Sequence, residues 1–311
     1  MTREALLQQL AAHGYQGRVV SVRRLEDLRE GLDCLHRQGQ FDAAFYRARL
    51  TGFTFAPPEG MPEARSLIIV AYRDPPVRFT FDWRGTPVPV MVPPTYLHSS
   101  AKDRAVEQTL GQLLIPAGYR VEPTRVPRKL LAVCSGLASY GRNNLAYVAG
   151  MGSFHRLAVV CSDLPCDEDD WPGPRMMSRC ARCEACVPGC PAGAIDPDRF
   201  LIHAERCITF WNEEPSQVSF PAWMQPSWHN CLVGCMHCQT VCPENREFLE
   251  RVQQGAVFSE DETRLLLQGT PPADLPGALS DKLRGHDLFD VVDLMPRNLG
   301  VLLQQEQAQS A

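Results

Sequence analysis

Apolar positions along the first part of the chain alternate between two periods, one helical and one strand-like. Residues 1–14 read as an amphipathic helix beginning near Thr2. Leu25, Leu28, Leu32 and Leu35 repeat at helical spacing and stop at Gly39, and Ala101 to Leu114 forms another helical stretch closed by Pro116 and Gly118. Arg18 to Val22, Ser66 to Tyr72 and Leu157 to Cys161 read as strands, the second a buried run preceded by Pro62. This mixture predicts an α/β layered sandwich over residues 1–170. Prolines 75, 76, 87, 89, 93 and 94 mark residues 74–94 as a long irregular excursion, a lid or a surface insertion. The acidic, Pro/Gly-rich stretch Asp167 to Pro174 reads as a linker, after which cysteines dominate to about residue 250. Helical leucine patterns then return, at 263–268 and 299–304, predicting a short helical C-terminal segment over 251–311.

Composition narrows the chemistry. The 311 residues are 44% hydrophobic and 22% charged, with a net charge of -5, so no global basic field advertises nucleic acid. The longest strongly apolar run, Leu67 to Tyr72, is too short to span a bilayer. With no apolar signal core at the N-terminus, the expected location is cytoplasmic, with no membrane partner. The unusual number is 13 cysteines. An odd count in a chain of this length argues against a disulfide framework and for metal ligation.

The spacing of those cysteines is specific. Cys180, Cys183, Cys186, Cys190 and Pro191 fit the run C-x2-C-x2-C-x3-C-P of two-cluster ferredoxins, in which the fourth cysteine ligates the other cluster. A zinc site would close four thiolates around one ion and has no use for the terminal Cys-Pro. Cys235, Cys238, Cys242 and Pro243 supply a second, incomplete run, with Leu232 where a full repeat would carry cysteine. By pseudo-symmetry Cys242 completes the first cluster with Cys180, Cys183 and Cys186, while Cys190 joins Cys235 and Cys238. The second cluster then lacks one ligand. Spacing leaves Cys207 and Cys231 as candidates, with His229 and His237 as weaker ones. Residues 171–250 thus read as a ferredoxin-like module holding two [4Fe-4S] clusters. Trp211, Trp223 and Trp228 read as a cover that keeps water off them. Such a pair of clusters is a one-electron wire. It implies an external low-potential donor of ferredoxin or flavodoxin type, and an acceptor elsewhere in the chain.

The N-terminal region has no G-x-G-x-x-G after a strand and no Walker A sequence. It does carry Ser135-Gly136-Leu137-Ala138-Ser139-Tyr140-Gly141-Arg142-Asn143-Asn144-Leu145, then Gly152-Ser153-Phe154 and Asp163-Leu164-Pro165. These segments, with Pro62 to Ile68, Cys207-Ile208-Thr209, Gly234 to Gln239 and Arg297-Asn298-Leu299, resemble the epoxyqueuosine reductases from about residue 60 onward. The resemblance implies a corrinoid-binding α/β domain joined to the two-cluster module, as in the related reductive dehalogenases. It implies cobalamin bound base-off, in keeping with the absence of an Asp-x-His-x-x-Gly signature, and Cys207 as the eighth cluster ligand. Tyr140, Arg142, Asn143, Thr209 and Met236 fall where that family would contact the corrinoid.

Three departures stand out. Where the family places a catalytic aspartate, this chain has Glu122. A carboxyl beside a corrinoid in an apolar pocket can hold a proton and donate it. Ala138-Ser139-Tyr140 replaces Gly-Trp, and Cys242-Pro243-Glu244-Asn245 replaces C-P-W-N. Arg125, Arg128, Lys129, Arg142 and Arg156 concentrate positive charge near the expected site, for tRNA phosphates or corrinoid side chains. The implied activity is reduction of an electrophile, epoxyqueuosine in tRNA being the best named substrate. A different small electrophile, or a non-catalytic electron-transfer or corrinoid-reducing partner, are the other readings.

Overall fold

The computed structural model describes residues 1–310. In chain order it begins α1 (Arg3–Ala12), β1 (Gln16–Ser21), α2 (Arg24–Arg37), α3 (Ala43–Arg49) and β2 (Ser66–Arg73). A hairpin follows, β3 (Val77–Trp83) and β4 (Thr86–Val92), then α4 (Ser99–Leu114), β5 (Val121–Pro123) and α5 (Arg128–Cys134). Next come β6 (Ala138–Tyr140), β7 (Ala146–Val148), β8 (His155–Ser162), α6 (Ile208–Asn212) and α7 (His237–Thr240). The chain ends with β9 (Gln253–Phe258), α8 (Glu260–Leu267), α9 (Gly277–Gly285) and α10 (Met295–Ser310).

These elements form two compact units. The first comprises Met1–Arg73, Ser99–Glu184 and Ile195–His203; the second comprises Asp74–His98, Ala185–Ala194 and Ala204–Ala311. In the first, β1, β2, β8 and β5 make a four-stranded antiparallel sheet in that order. β2 is apolar from Leu67 to Tyr72 because both its faces are covered. Leu67, Ile69 and Ala71 pack with Leu25 and Leu28 of α2 and with α5, while Ile68, Val70 and Tyr72 pack with Leu6 and Leu10 of α1 and Leu110 of α4. Strand alternation thus feeds two cores from one sheet. The expected α/β layered sandwich is what this unit is.

The second unit corrects one expectation. Residues 74–94 are not an irregular excursion but largely the β3–β4 hairpin, extended by parallel pairing of β3 with β9. β4 is an edge strand, where prolines are tolerated because no ladder donor is needed outward. Pro87 and Pro89 take its exposed positions, and Val88, Val90 and Val92 face inward. Phe79, Phe81 and Phe258 then pack against α8, α9 and α10. The C-terminal segment is therefore helical, as expected, but opens with a strand. No helix among the described residues is long and apolar enough to cross a membrane.

Candidate metal centre

Within the second unit the chain gathers four thiols from three separate segments. The Cys207 sulfur interacts with Cys190, that of Cys235 with Cys207 and Cys190, and that of Cys238 with all three and with Cys186. Cys207 takes the N-cap position of α6, where the N–H dipoles of Thr209 and Phe210 and the Thr209 hydroxyl favour a thiolate. The His237 N–H donates to Cys235, and the Ala194 N–H donates to Cys190 Sγ at 3.3 Å. Burial pushes the Cys207, Cys235 and Cys238 thiols up. In so dry a place thiolates persist where cationic metal and N–H dipoles offset their charge. Among the described residues no three His, Cys, Asp or Glu side chains converge on one metal ion. A cubane spreads its four thiolates over four irons, so its ligands stand farther apart than those of one ion. The residues fit a cluster of that kind.

The surroundings are apolar. Ala192, Ile208 and Met224 form a buried cluster, against which Trp211, Phe220 and Trp228 pack together with Cys190 and Cys235. Trp211 and Trp228 thus lie in the expected cover, whereas Trp223 is 41% exposed and tilts against Trp228. Cys231 is buried and receives the Met236 N–H, and it is felt at Cys235. Leu232 is fully buried in the core of β3, β4 and the C-terminal helices, so the position where a repeat would carry cysteine points away into packing.

Three devices here were not apparent from sequence. Asn298 of α10 donates to the carbonyls of Asn212 and Leu232, both at 2.9 Å, and Arg297 donates to those of Trp211 and Glu214. The Arg-Asn pair thereby pins both ligand-bearing loops. Tyr96 donates to Glu213 Oε1 at 2.5 Å beside Cys207 and Cys231. Gly234 has φ 69°, and a Cβ there would stand 2.7 Å from the Tyr96 ring, so only glycine suits the approach to Cys235. The signals were present as Arg297-Asn298 and Gly234, but their partners are remote in sequence.

Cys180 and Cys183 lie in the first unit, Cys186 and Cys242 in the second. The first pair is held by Arg142, which donates to the carbonyls of Cys180 at 2.8 Å, Cys183 at 3.3 Å and Pro197 at 2.8 Å. Residues 175–177 run alongside β6 through Tyr140, carrying the chain into that loop. Asn143 is buried, with Nδ2 donating to the Tyr147 hydroxyl and Oδ1 accepting from the Leu145 N–H. Arg142 and Asn143, expected at the corrinoid, thus spend their polar atoms shaping the β6–β7 hairpin and the cysteine loop. Tyr140 is buried beside Lys129, which lies 5.8 Å from the ring centroid, and it borders a cavity. Thr209 and Met236, in the second unit, serve Cys207 and Cys231 as described.

Glu122 sits on the edge strand β5, opposite Cys161. Its side chain is 36% exposed and 3.9 Å from Arg120, a more open setting than the apolar pocket expected for it. The expected basic concentration is largely neutralised within the unit. Arg128 and Arg156 both pair with Asp103 at 2.8 Å, and Lys129 donates to the Asn144 carbonyl at 2.7 Å. Among the described residues no disulfide joins the cysteines. Burial raises the Cys134 and Cys161 thiols to about 11, leaving both neutral near pH 7.

Comparison with known proteins agrees with this geometry. Residues 179–245 match the 4Fe-4S double cluster binding domain. The chain is 32% identical over 143 residues to an epoxyqueuosine reductase of Vibrio cholerae, covering 45% of this chain and 36% of that protein. It is 36% identical over 135 residues to that of Pseudomonas aeruginosa, covering 42% and 36%. The aligned stretches thus span about a third of these relatives' length. The structure of epoxyqueuosine reductase from Streptococcus thermophilus superposes with a TM-score of 0.66 at 15% identity, over 97% of this chain and 81% of that one. An epoxyqueuosine reductase solved with a tRNA-Tyr epoxyqueuosine-modified stem loop gives 0.57 at 21% identity, over 79% and 65%. The fold is that of the epoxyqueuosine reductases, and the resemblance in sequence is upheld.

Proposed function

We propose that the chain is a cytoplasmic reductase that carries two [4Fe-4S] clusters and a base-off cobalamin, with epoxyqueuosine in tRNA as its best named substrate. The observation that carries the reading is the quartet Cys190, Cys207, Cys235 and Cys238, gathered under an apolar cover with N–H groups donating to sulfur. These four hold one cluster, and Cys180, Cys183, Cys186 and Cys242 hold the other. Cobalamin, when bound, would supply the redox-active cobalt for reduction of an electrophile. The chain's own residues do the rest. Trp211, Phe220 and Trp228 exclude water from the quartet. By the family resemblance Tyr140, Thr209 and Met236 would contact the cofactor, and Arg142 and Asn143 would act one step back by fixing the hairpin and the Cys180–Cys183 loop. Glu122 takes the sequence position of the family's catalytic carboxyl and is the residue assigned to proton delivery. A low-potential ferredoxin or flavodoxin feeds the clusters.

One observation favours a second reading, reduction of a smaller electrophile. Arg128, Lys129, Arg142 and Arg156 are engaged inside the first unit, which leaves little of that charge for RNA phosphates. Anaerobic incubation of the loaded protein with a chemical low-potential donor and an epoxyqueuosine-bearing stem loop, read by nucleoside mass, separates the two. Loss of the epoxide oxygen supports the tRNA reading. Fully loaded protein that leaves the nucleoside intact supports the smaller substrate. With whichever substrate turns over, Glu122→Gln should lower turnover about a hundredfold or more while cluster and cobalamin absorbance stay unchanged. Undiminished turnover removes Glu122 from the mechanism.

A further inference from the structure

The short helix α6 carries a proposed cluster ligand at one end and a carboxylate at the other. Cys207 takes its N-cap, and Glu213, whose N–H donates to the Thr209 carbonyl at 3.1 Å, takes its C-cap. Glu213 and Glu214 thus stand where the backbone carbonyls and the helix dipole disfavour negative charge. Charge set against the local backbone preference is a choice found at functional positions and offset elsewhere. For Glu214 the offset is Arg297, which donates to its backbone carbonyl at 2.7 Å and feels its charge. For Glu213 it is Tyr96.

Tyr96 follows β4 and reaches α6 across the second unit, where its hydroxyl donates to Glu213 Oε1 at 2.5 Å. Its ring occupies the space over Gly234, where a Cβ would stand 2.7 Å from it, and Asn212 Nδ2 donates to the Gly234 carbonyl at 2.9 Å. One side chain therefore meets both the carboxylate that ends the Cys207 helix and the residue before Cys235. Burial, and then the Glu213 charge, push the Tyr96 hydroxyl well above its usual range, so it keeps its proton and donates. Cys207 and Cys231 lie within electrostatic reach of the same hydroxyl. The carboxylate is thereby fixed in one orientation beside the quartet.

We propose that Tyr96 and Glu213 form a positioning pair that lowers the reduction potential of the cluster held by Cys190, Cys207, Cys235 and Cys238. The proposal rests on the reading that this quartet holds a cluster. Reduction passes one electron from the external donor to the cluster, breaks no bond and moves no proton, so the cluster gains one negative charge. A carboxylate fixed nearby makes that gain less favourable, and local charge is one of the levers that set cluster potentials. A lower potential makes the reduced cluster a stronger donor to its own acceptor. Tyr96 acts through Glu213, because its one proton is spent on the carboxylate and not on a sulfur.

The test is a redox titration of the full chain loaded with clusters but not cobalamin, followed by electron paramagnetic resonance. Glu213→Gln keeps the side-chain shape and removes the charge. It should shift the reduction equilibrium of one cluster about tenfold towards the reduced form, about 59 mV upward for one electron, and leave the other cluster in place. Tyr96→Phe keeps the ring over Gly234 and should move the same cluster in the same direction by about threefold. The double variant should match Glu213→Gln alone, because the hydroxyl works through the carboxylate. Iron and sulfide near about eight per chain show that each variant is loaded. An unmoved equilibrium in loaded Glu213→Gln overturns the proposal, as do equal shifts of both clusters or a Tyr96→Phe effect that adds in full. If Glu213→Gln loses iron, Tyr96→Phe decides alone, and an unmoved equilibrium there overturns it. Wild-type protein that takes up no cluster fails the underlying reading and the proposal together, whereas loaded protein indifferent to both variants fails the proposal alone.

Discussion

At the scale of single residues, the proposal of Cys207 as eighth cluster ligand draws on surroundings that spacing does not contain. Cys207, half-buried, and Cys231, buried, both lie outside the two cysteine runs, and spacing alone leaves both as candidates. In the structure the Cys207 sulfur feels Cys190 and lies at the N-terminus of α6, where Thr209 and Phe210 favour a thiolate, whereas Cys231 is favoured by Met236 alone. Cys207→Ala should lower iron and acid-labile sulfide from about eight to about four per chain, and Cys231→Ala should leave both near eight. The reverse pattern in an iron and sulfide assay reassigns the ligand. Arg142 and Asn143 show the opposite limit of sequence reading. Their place in the Tyr140 to Asn144 segment was legible, but their hydrogen-bond partners, Cys180, Cys183, Pro197 and Tyr147, depend on folding and were not.

Among the elements, helices and strands with one dominant period were legible, and those ruled by tertiary context were not. β2 was readable because burial on both faces leaves an unbroken apolar run. The β3–β4 hairpin was hidden by its prolines, which signal irregularity unless the strand is known to be an edge. β9 was hidden because Gln253, Gln254 and Gly255 carry little strand preference, and its pairing with β3 comes from far along the chain. That pairing also explains Gly255. A Cβ there would stand 2.5 Å from two atoms of the fully buried Phe79 ring, at the point where the register shifts between Arg78 and Thr80. Gly255→Ala should therefore lower the free energy of unfolding by about 1–3 kcal/mol, measured by denaturant titration. A change within about 0.5 kcal/mol would mean that the ring moves aside freely.

At the scale of the whole molecule, the chain runs through two compact units several times, an order that linear reading cannot anticipate. Each unit has its own sheet and core, and each is tied by buried polar contacts as well as apolar ones. In the first, Asp103 is partly desolvated, which raises its pKa, but hydrogen bonds from Arg156 and Arg128 outweigh this and hold it below the usual carboxylate range. A depressed folded-state pKa means that the unfolded chain takes up the proton first as pH falls. The contribution of Asp103 is thus present in full above the ordinary carboxylate range and is lost as pH falls through the lower folded value. The stability advantage of wild type over Asp103→Asn should be constant from about pH 8 to about pH 5 and shrink below about pH 4. An advantage that declines between pH 8 and pH 5 would point to a different titrating group.

The central claim is that the cysteine set wires electrons to a corrinoid, and its most direct measurement is cofactor stoichiometry. Anaerobically purified protein, reconstituted with iron, sulfide and cobalamin, should retain about eight iron, about eight acid-labile sulfide and about one cobalamin per chain. The cobalt should become reducible when a low-potential donor reduces the clusters. Fully loaded clusters with no cobalamin retained, or zinc in place of iron and sulfide, would contradict the account.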